Sequence, residues 1–242
     1  MVGKPKTAEM HPGPGFRLRE EITRPALEAW TPLRDFPTPA ISDQMNRLYT
    51  MTSDIRVLTD SSHVLVGPAC TVKCYPGDNL MVHKALDVAR PGDVLCVDAT
   101  ASRTTAVLGD LVSTKARHRG IAGFVVDGLI RDLPGIQALG DFPVFARGVT
   151  PIGPLHRGPG EINYPISVGS IVVHPGDIVV ADLNGVVVVP SDTIAEIVKR
   201  LQRRAATEAD YTEAVARGDF DNNWVDRTLE DSGVIVTGAE EV

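Results

Sequence analysis

The sequence predicts an α/β domain in which a sheet and helices form layers. Apolar, strand-like runs alternate with helical patterns through the middle of the chain, and a β-rich segment follows them. The 242 residues are 43% hydrophobic and 23% charged, which is enough for one sizeable core in an ordinary globular protein. This alternation suits either a parallel three-layer sheet or a mixed sheet packed against smaller β elements.

Composition divides the chain into three regions. Residues 1–24 contain three prolines, several charges and little periodicity, which is typical of an N-terminal arm. Residues 25–216 are expected to form the α/β domain. Residues 217–242 are acidic, with Trp224 as their main apolar anchor, and are expected to form a C-terminal extension that packs on a neighbouring subunit.

Turn and cap residues define the elements of the first half of the domain. Ser42 and Asp43 are suitable caps for a helix that includes residues 44–48. The following elements are a strand over residues 64–73, a helix that a turn at 76–79 opens and that ends at 88, and a buried strand over 94–97.

Periodicity and turn residues define the second half in the same way. A helix over residues 111–119 is ended by Gly120, and β-branched residues at 121–126 predict a buried strand. The remaining elements are a short helix (132–139), a short strand (143–146), a long Gly- and Pro-rich loop (148–165), three strands (167–174, 178–181 and 186–189) and a polar helix (192–216).

Charge and cysteine usage exclude several classes of protein. The net charge of −7 argues against a general nucleic-acid binder, because phosphate contacts need clustered Lys and Arg. Cys70, Cys74 and Cys96 lie in apolar surroundings, which indicates buried thiols in a reducing compartment. No apolar run approaches eighteen residues, and residues 1–24 lack the apolar centre of a signal peptide. A cytoplasmic location without membrane contact is therefore expected.

The common catalytic signatures are absent from the sequence. It contains no Gly-x-Ser-x-Gly elbow, Walker A loop, His-Glu-x-x-His or Cys-x-x-Cys pair. The six histidines are scattered along the chain, which disfavours a histidine-based zinc site.

Two short charged motifs stand where hydrophobic elements meet loops. Gly109-Asp110 opens the helix of residues 111–119, and Arg131-Asp132 follows the next strand, with twenty residues between Asp110 and Arg131. A helix followed by a strand of similar length brings the chain back to its start, so the two acids and the arginine are expected to converge. Ordinary structural roles are the alternative: each aspartate would cap a helix, and Arg131 would simply pair with Asp132.

The Asp-x20-Arg-Asp spacing resembles the motif of the RraA-like family. That family includes proteins named as regulators of ribonuclease activity and the class II 4-hydroxy-4-methyl-2-oxoglutarate aldolases. Further stretches support the resemblance in the same order along the chain, at residues 76–80, 143–151, 158–163, 175–182 and 185–190. The resemblance implies a layered α/β fold similar to the swivelling phosphohistidine-type domain. It also implies a homotrimer, or a hexamer of two trimers, with the site near a subunit interface.

The resemblance further implies a divalent-metal site. In the aldolases of this family a cation, usually Mg²⁺ or another such as Mn²⁺, holds the keto acid. Asp132 corresponds to a direct ligand and Asp110 to one that acts through bound water, which suits the preference of magnesium for carboxylates and retained waters. Arg131 would bind the carboxylate and keto oxygen of the substrate and stabilise the enolate that forms.

The same resemblance assigns the rest of the substrate site. The backbone N–H groups of Leu111 and Val112, in the first helical turn after Gly109, would bind the other carboxylate oxygens. Asn79 matches a family position near the distal part of the substrate.

One position departs from the aldolase pattern. The aldolases commonly carry an acid three positions after the Arg-Asp aspartate, and here that residue is Gly135. The pyruvate-binding core is retained, whereas the aldol substrate stays open, and decarboxylation of oxaloacetate needs less of the site.

Two functions of different class are therefore considered. The first is a metal-dependent lyase that cleaves a 2-keto acid to pyruvate by retro-aldol cleavage, decarboxylation or both. The second is a non-catalytic regulator that binds a ribonuclease. Retention of Asp110, Arg131 and Asp132 together favours the lyase.

Overall fold

A computed structural model describes residues 9–59 and 64–237 of the chain. The strands are β1 (Phe16–Leu18), β2 (Arg56–Val57), β3 (Leu65–Cys74), β4 (Val94–Asp98), β5 (Ala106–Leu108), β6 (Gly123–Ile130), β7 (Val144–Val149), β8 (Gly160–Ile162), β9 (Ile166–Val168), β10 (Ile171–Val173), β11 (Ile178–Asp182) and β12 (Gly185–Val189). The helices are α1 (Leu27–Trp30), α2 (Thr38–Gln44), α3 (Leu80–Val88), α4 (Asp110–His118), α5 (Leu133–Gln137), α6 (Ile194–Ala216) and α7 (Asn223–Asp231), with a 3₁₀ turn at Thr31–Asp35.

Parallel strands form the centre of a mixed sheet. Strands β3, β4, β6 and β7 are parallel neighbours, and β5 pairs in parallel with the end of β6. Antiparallel strands complete it, with β8 against β3, β2 against β7, and β11 between β12 and the first half of β3. The α/β prediction is therefore confirmed, and of the two arrangements considered the mixed sheet is the one observed.

The central strands face a different core on each side. In β4, Leu95 and Val97 pack with α3, α4 and α5, whereas Val94 and Cys96 pack with β9 to β12. Successive side chains of a strand point to opposite faces, so both faces of β4 need apolar residues. The outer face of β11 and β12 packs in turn against α1, α2 and the start of α6. The result is a layered arrangement of helices, the parallel strands, a second layer of strands (β9 to β12) and further helices.

The prediction of a helix that includes residues 44–48 is wrong, because α2 occupies Thr38–Gln44 and ends there. The N–H and Oγ1 of Thr38 donate hydrogen bonds of 2.8 and 2.6 Å to the carboxylate of Asp182, which lies 144 positions away. Ser42 and Asp43, expected as caps, lie inside the helix. A remote carboxylate thus decides where this helix begins.

The prediction of one strand over residues 167–174 is also wrong. This segment forms most of two strands, β9 and β10, which pair as an antiparallel hairpin. Gly169 and Ser170 join them with φ values of 58° and 69°, the left-handed conformation at two successive residues that tight hairpin turns use. The loop expected over 148–165 contains the short strand β8.

The three cysteines are free and buried, as predicted from their surroundings. Burial raises the pKa of Cys70 and of Cys74 to about 12, and it raises the pKa of Cys96 as well. These thiols therefore stay protonated at neutral pH and are poor nucleophiles.

The N-terminal segment makes contacts with the α/β domain, whereas few residues near the C-terminus are buried. Within the expected arm, β1 pairs with β8, and Arg24 donates two hydrogen bonds to Asp93 at 2.8 and 2.6 Å. One compact unit extends to Leu201 and a second begins at Gln202, so the division falls inside α6. The buried residues of α6 end at Leu201, whereas the expected domain continues to residue 216. No helix in the described ranges is both long and apolar enough to cross a membrane.

Candidate functional site

The two charged motifs meet at one edge of the sheet. Strands β5 and β6 are parallel, with Leu108 opposite Ile130, so both end at the same edge. The N–H of Arg131 donates a hydrogen bond of 3.0 Å to the carbonyl of Leu108. Helix α4 starts directly after β5, and Asp132 directly precedes α5. The expected convergence of the motifs is thus produced by two parallel strands; β5 was not predicted, because it has only three residues.

Gly109 allows Asp132 to lie against the start of α4. A Cβ atom at Gly109 would lie 2.5 Å from Oδ2 of Asp132 and 3.0 Å from Cγ of Arg131. Real Cβ atoms do not approach other atoms this closely, so any larger residue would displace the carboxylate. A larger residue fits here only if the carboxylate of Asp132 moves away from the start of α4.

Gly135 likewise leaves room for the side chain of Asp110. A Cβ atom at Gly135 would lie 2.8 Å from Cβ and 2.9 Å from Oδ2 of Asp110. The glycine that departs from the aldolase pattern is therefore in direct contact with one of the two candidate acids. A larger side chain at this position would require Asp110 to move.

Arg131 pairs with Asp132 and fills a narrow space beside Gly153. Its Nε lies 3.2 Å from Oδ2 of Asp132, and the two side chains are 42% and 45% exposed. A Cβ atom at Gly153 would overlap Nη1 of Arg131. The simple pairing considered from the sequence is present, but an ion pair this exposed contributes only about 0–1 kcal/mol.

The start of α4 offers backbone donors to the cavity. Gly109 occupies the N-cap position, so Asp110 is the first helical residue rather than the cap. Oδ1 of Asp110 accepts a hydrogen bond of 2.6 Å from the N–H of Leu111. The N–H of Val112 lies in the same first turn, where the helix itself provides no acceptor. Of the two predicted carboxylate-binding N–H groups, that of Leu111 already has a partner within the chain.

Asp132 has an unusual backbone conformation. Its φ and ψ are 54° and 37°, the left-handed region, and its side chain makes no capping hydrogen bond to α5. Its carbonyl accepts hydrogen bonds from the N–H groups of Gly135 and Ile136 at 2.9 and 3.1 Å. A non-glycine residue in this region costs on the order of 1 kcal/mol or more. Capping of α5 by its carboxylate does not explain this residue.

One cavity of about 260 Å³ collects these groups. Its lining residues are Asn79, His83, Leu108, Gly109, Asp110, Leu111, Val112, Arg131, Asp132, Pro154 and His156. All seven site residues chosen from the sequence are among them. The additional polar members are two histidines, which sequence analysis treated as scattered.

One of these histidines, His156, contacts the side chain of Asn79. Nδ1 of His156 lies 2.6 Å from Oδ1 of Asn79, across 77 positions of sequence, and Nδ2 of Asn79 donates a hydrogen bond of 2.8 Å to the carbonyl of Val107. The rings of His83 and His156 meet edge to face, with centroids 5.5 Å apart. Burial, then His156, then Lys115 lower the pKa of His83, so this imidazole is neutral at pH 7. The only sequence signal for this contact was the turn at 76–79 that presents Asn79.

The donor set fits a hard divalent cation that keeps part of its water. Asp110 and Asp132 present carboxylate oxygens to one cavity, and both side chains are partly open to solvent. Within residues 9–59 and 64–237, no group of three or more His, Cys, Asp or Glu side chains could enclose a metal. Magnesium is typically held by one or two carboxylates together with waters and substrate oxygens, which is compatible with this pair.

Comparison with known proteins identifies the family. A family model named RraA-like and described as Aldolase/RraA matches residues 38–188. The chain belongs to the RraA-like family. The matched segment contains every residue that lines the cavity.

Several relatives of the chain have names that describe an aldolase. A protein of Halalkalibacterium halodurans named "Putative 4-hydroxy-4-methyl-2-oxoglutarate aldolase" is 42% identical over 195 residues, which cover 81% of this chain and 92% of that protein. A protein of the same name from Ectopseudomonas mendocina is 40% identical over 124 residues, which cover 51% of this chain and 75% of that protein.

Solved RraA-like structures share the fold. Streptomyces coelicolor RraAS2, described as an unusual member of the RNase ES inhibitor RraA protein family, matches with a TM-score of 0.71 and 31% identity, covering 79% of this chain and 99% of that one. The RNA-processing inhibitor RraA from Thermus thermophilis matches with a TM-score of 0.59 and 28% identity. The match covers 64% of this chain and 93% of that one. The protein therefore has the RraA-like α/β fold.

Proposed function

We propose that this RraA-like protein is a divalent-metal-dependent carbon–carbon lyase that cleaves a 2-keto acid to pyruvate through an enolate. The convergence of Asp110, Arg131 and Asp132 on one small cavity carries the proposal. Relatives named as aldolases support the same reaction class. A cavity of about 260 Å³ suits a small acid rather than a polymer.

Backbone and guanidinium groups would bind the pyruvyl end of the substrate. The N–H of Val112 is available for a carboxylate oxygen, and the N–H of Leu111 joins it when Asp110 turns to its water-mediated role. Arg131 makes an exposed pair with Asp132, so little free energy opposes its turning to the substrate. Its planar fork then spans the carboxylate and the keto oxygen.

Asp132 would hold Mg²⁺ or Mn²⁺ directly, and Asp110 would hold one of the cation's waters. When bound, the cation supplies positive charge beside the keto oxygen, where negative charge develops as the carbon–carbon bond breaks. Once Arg131 has turned from Asp132 to the substrate, its N–H groups would stabilise the same developing enolate. Gly135 leaves the space beside Asp110 free, so no side chain at that position obstructs the carboxylate.

The experiment is to follow pyruvate formation from oxaloacetate and from 4-hydroxy-4-methyl-2-oxoglutarate, with Mg²⁺ or with EDTA. Cation-dependent pyruvate is expected from at least one of them, and Asp132→Ala and Arg131→Ala should each lower the rate by about 100-fold or more. Arg117→Ala is the matched control, because Arg117 pairs with Asp141 at the surface. The proposal would be refuted if the rate of pyruvate formation were the same with EDTA as with Mg²⁺ and were unchanged in both site variants.

A second candidate function is regulation of a ribonuclease by protein binding. The descriptions of the matched Streptomyces and Thermus proteins as ribonuclease or RNA-processing inhibitors favour it. Capture of a ribonuclease from host extract, with inhibition that survives Asp132→Ala and Arg131→Ala, would support this function instead of the lyase.

We also infer that the protein forms a homotrimer or a hexamer, as the family resemblance implies. Light scattering of the purified protein tests this, and a monomer at micromolar concentration would contradict it.

A further inference from the structure

The proposed lyase roles leave one part of the cavity without a function. Asn79, His83 and His156 line the same cavity as the charged motifs, but none of them is needed to bind a pyruvyl group or a cation. Retro-aldol cleavage has one further chemical requirement, which is a group that accepts the proton of the substrate's C4 hydroxyl. A neutral imidazole is suited to that task.

The contacts of Asn79 define which nitrogen of His156 is free. Asn79 is 2% exposed, and its Nδ2 donates to the carbonyl of Val107, so its Oδ1 is the atom that faces His156. An amide oxygen only accepts hydrogen bonds, so Nδ1 of His156 must carry the hydrogen. In a neutral ring Nε2 then has the lone pair. Asn79 thus holds the imidazole in the tautomer that can take a proton through Nε2.

His83 completes this arrangement. Its ring lies edge to face with that of His156 at an interplanar angle of 73° and restricts how that ring turns. Burial is the largest cause that lowers the pKa of His83, and the neighbouring His156 and Lys115 lower it further. Because His83 is uncharged at neutral pH, it does not oppose the positive charge that His156 gains on protonation.

We propose that His156 is the general base of an aldol cleavage and that Asn79 and His83 position it. The inference rests on the proposed lyase function and selects its aldol branch. Oxaloacetate has no C4 hydroxyl, so its decarboxylation makes no use of this base.

The proton and electron movements balance within the substrate and one imidazole. Nε2 of His156 takes the hydroxyl proton, and the O–H electron pair becomes the new C4 carbonyl bond. The C3–C4 bond breaks, and its electron pair forms the C2–C3 double bond while the C2 carbonyl pair moves to oxygen. The imidazolium then returns the proton to C3, which yields pyruvate and a second carbonyl product.

The test compares two reactions in the same variants. Pyruvate formation from 4-hydroxy-4-methyl-2-oxoglutarate and from 4-hydroxy-2-oxoglutarate is measured beside oxaloacetate decarboxylation, all with Mg²⁺. His156→Gln, which can hydrogen-bond but not accept a proton, should lower kcat for aldol cleavage by about 100-fold or more. Decarboxylation should change less than about threefold. His174→Gln, at an exposed position away from the cavity, is the matched control.

Each alternative result has a definite meaning. Equal losses of both reactions in His156→Gln, or no loss of either, would overturn the assignment of His156 while the lyase function stands. Decarboxylation without any aldol cleavage by the wild-type protein would overturn the inference alone. If the wild-type protein forms pyruvate from none of the three acids, the proposed function fails and the inference fails with it.

Asn79 is tested by a readout that does not depend on activity. In ¹⁵N NMR of histidine-labelled protein, His156 should show the Nδ1–H tautomer in the wild type and in Asn79→Asp, which keeps an oxygen acceptor. Asn79→Leu should shift the ring toward the Nε2–H tautomer and should lower kcat for aldol cleavage more than it raises KM. An Nε2–H tautomer in the wild type would contradict the positioning role.

Discussion

At the scale of single residues, glycines define the shape of the site. Gly109, Gly135 and Gly153 each lie where an added Cβ atom would come within 3 Å of Asp132, Asp110 or Arg131. Each charged side chain therefore has a small partner that leaves room for it. A side chain added at any of the three positions would therefore shift a charged group of the site.

Gly109→Ala should weaken cation binding. The new methyl group would displace Oδ2 of Asp132, from which it would otherwise be separated by 2.5 Å. We expect Mg²⁺ or Mn²⁺ affinity, measured by isothermal titration, to fall by about 10- to 100-fold, as it does when groups supporting a ligand are changed. Thermal unfolding of the cation-free variant serves as the control for folding. A variant that binds the cation as tightly as the wild type would contradict the role of Asp132.

Gly153→Ala should affect the keto acid rather than the cation. Here the displaced atom is Nη1 of Arg131, which the new methyl group would overlap. Because the guanidinium would bind the substrate, kcat/KM for pyruvate formation should fall by roughly 10- to 100-fold. Cation affinity should remain unchanged. Loss of cation affinity to the same extent as in Gly109→Ala would show that the two glycines do not act separately.

At the scale of elements, the sequence predicts those helices and strands whose boundaries depend on neighbouring residues. The motif Gly109-Asp110 was expected near Arg131 because a helical pattern and a run of β-branched residues separate them, and these segments contain most of α4 and the start of β6. Helix α2 was misplaced because Asp182, from another element, supplies its N-terminal acceptor. The histidine pair was missed for the same reason: His156 reaches Asn79 only after the loop that follows β7 has folded.

Asp182 offers a test of this long-range cap. Burial opposes its charge, but hydrogen bonds from Thr38 and Asn184 outweigh burial and hold its pKa below the ordinary value of 3.8. A depressed acid pKa stabilises the fold above the unfolded-state value, and that contribution is lost as the pH falls through the folded-state value. Asp182→Asn should therefore lower the free energy of unfolding at pH 7 by about 1–2 kcal/mol.

The pH dependence of that difference distinguishes the cap from general packing. Denaturant unfolding of the wild type and of Asp182→Asn should give curves that converge as the pH falls below about 4, where the wild-type carboxyl takes up its proton. A difference that stays constant from pH 7 to pH 3 would mean that charge at Asp182 does not stabilise α2.

At the scale of the whole molecule, the layers follow from strands that are apolar on both faces. Alternation of strands and helices predicted the α/β class, and continuous apolar runs predicted buried strands. The second layer, formed by β9 to β12, was less predictable, because antiparallel pairing with β3 depends on residues far away in sequence. The mixed sheet was therefore one of two possibilities until its pairing was known.

Burial also predicts where the chain can be shortened. Ile194, Ile197 and Leu201 are the buried residues of α6, and none of the described residues of α7 is buried. A chain that ends at Arg204 keeps the whole core, so its melting temperature should lie within a few degrees of the wild type, as expected for a change below about 1 kcal/mol. Leu201→Ala, at a residue only 1% exposed, should instead cost about 2–4 kcal/mol. A shortened chain that unfolds as readily as Leu201→Ala would show that the second unit contributes to the stability of the first.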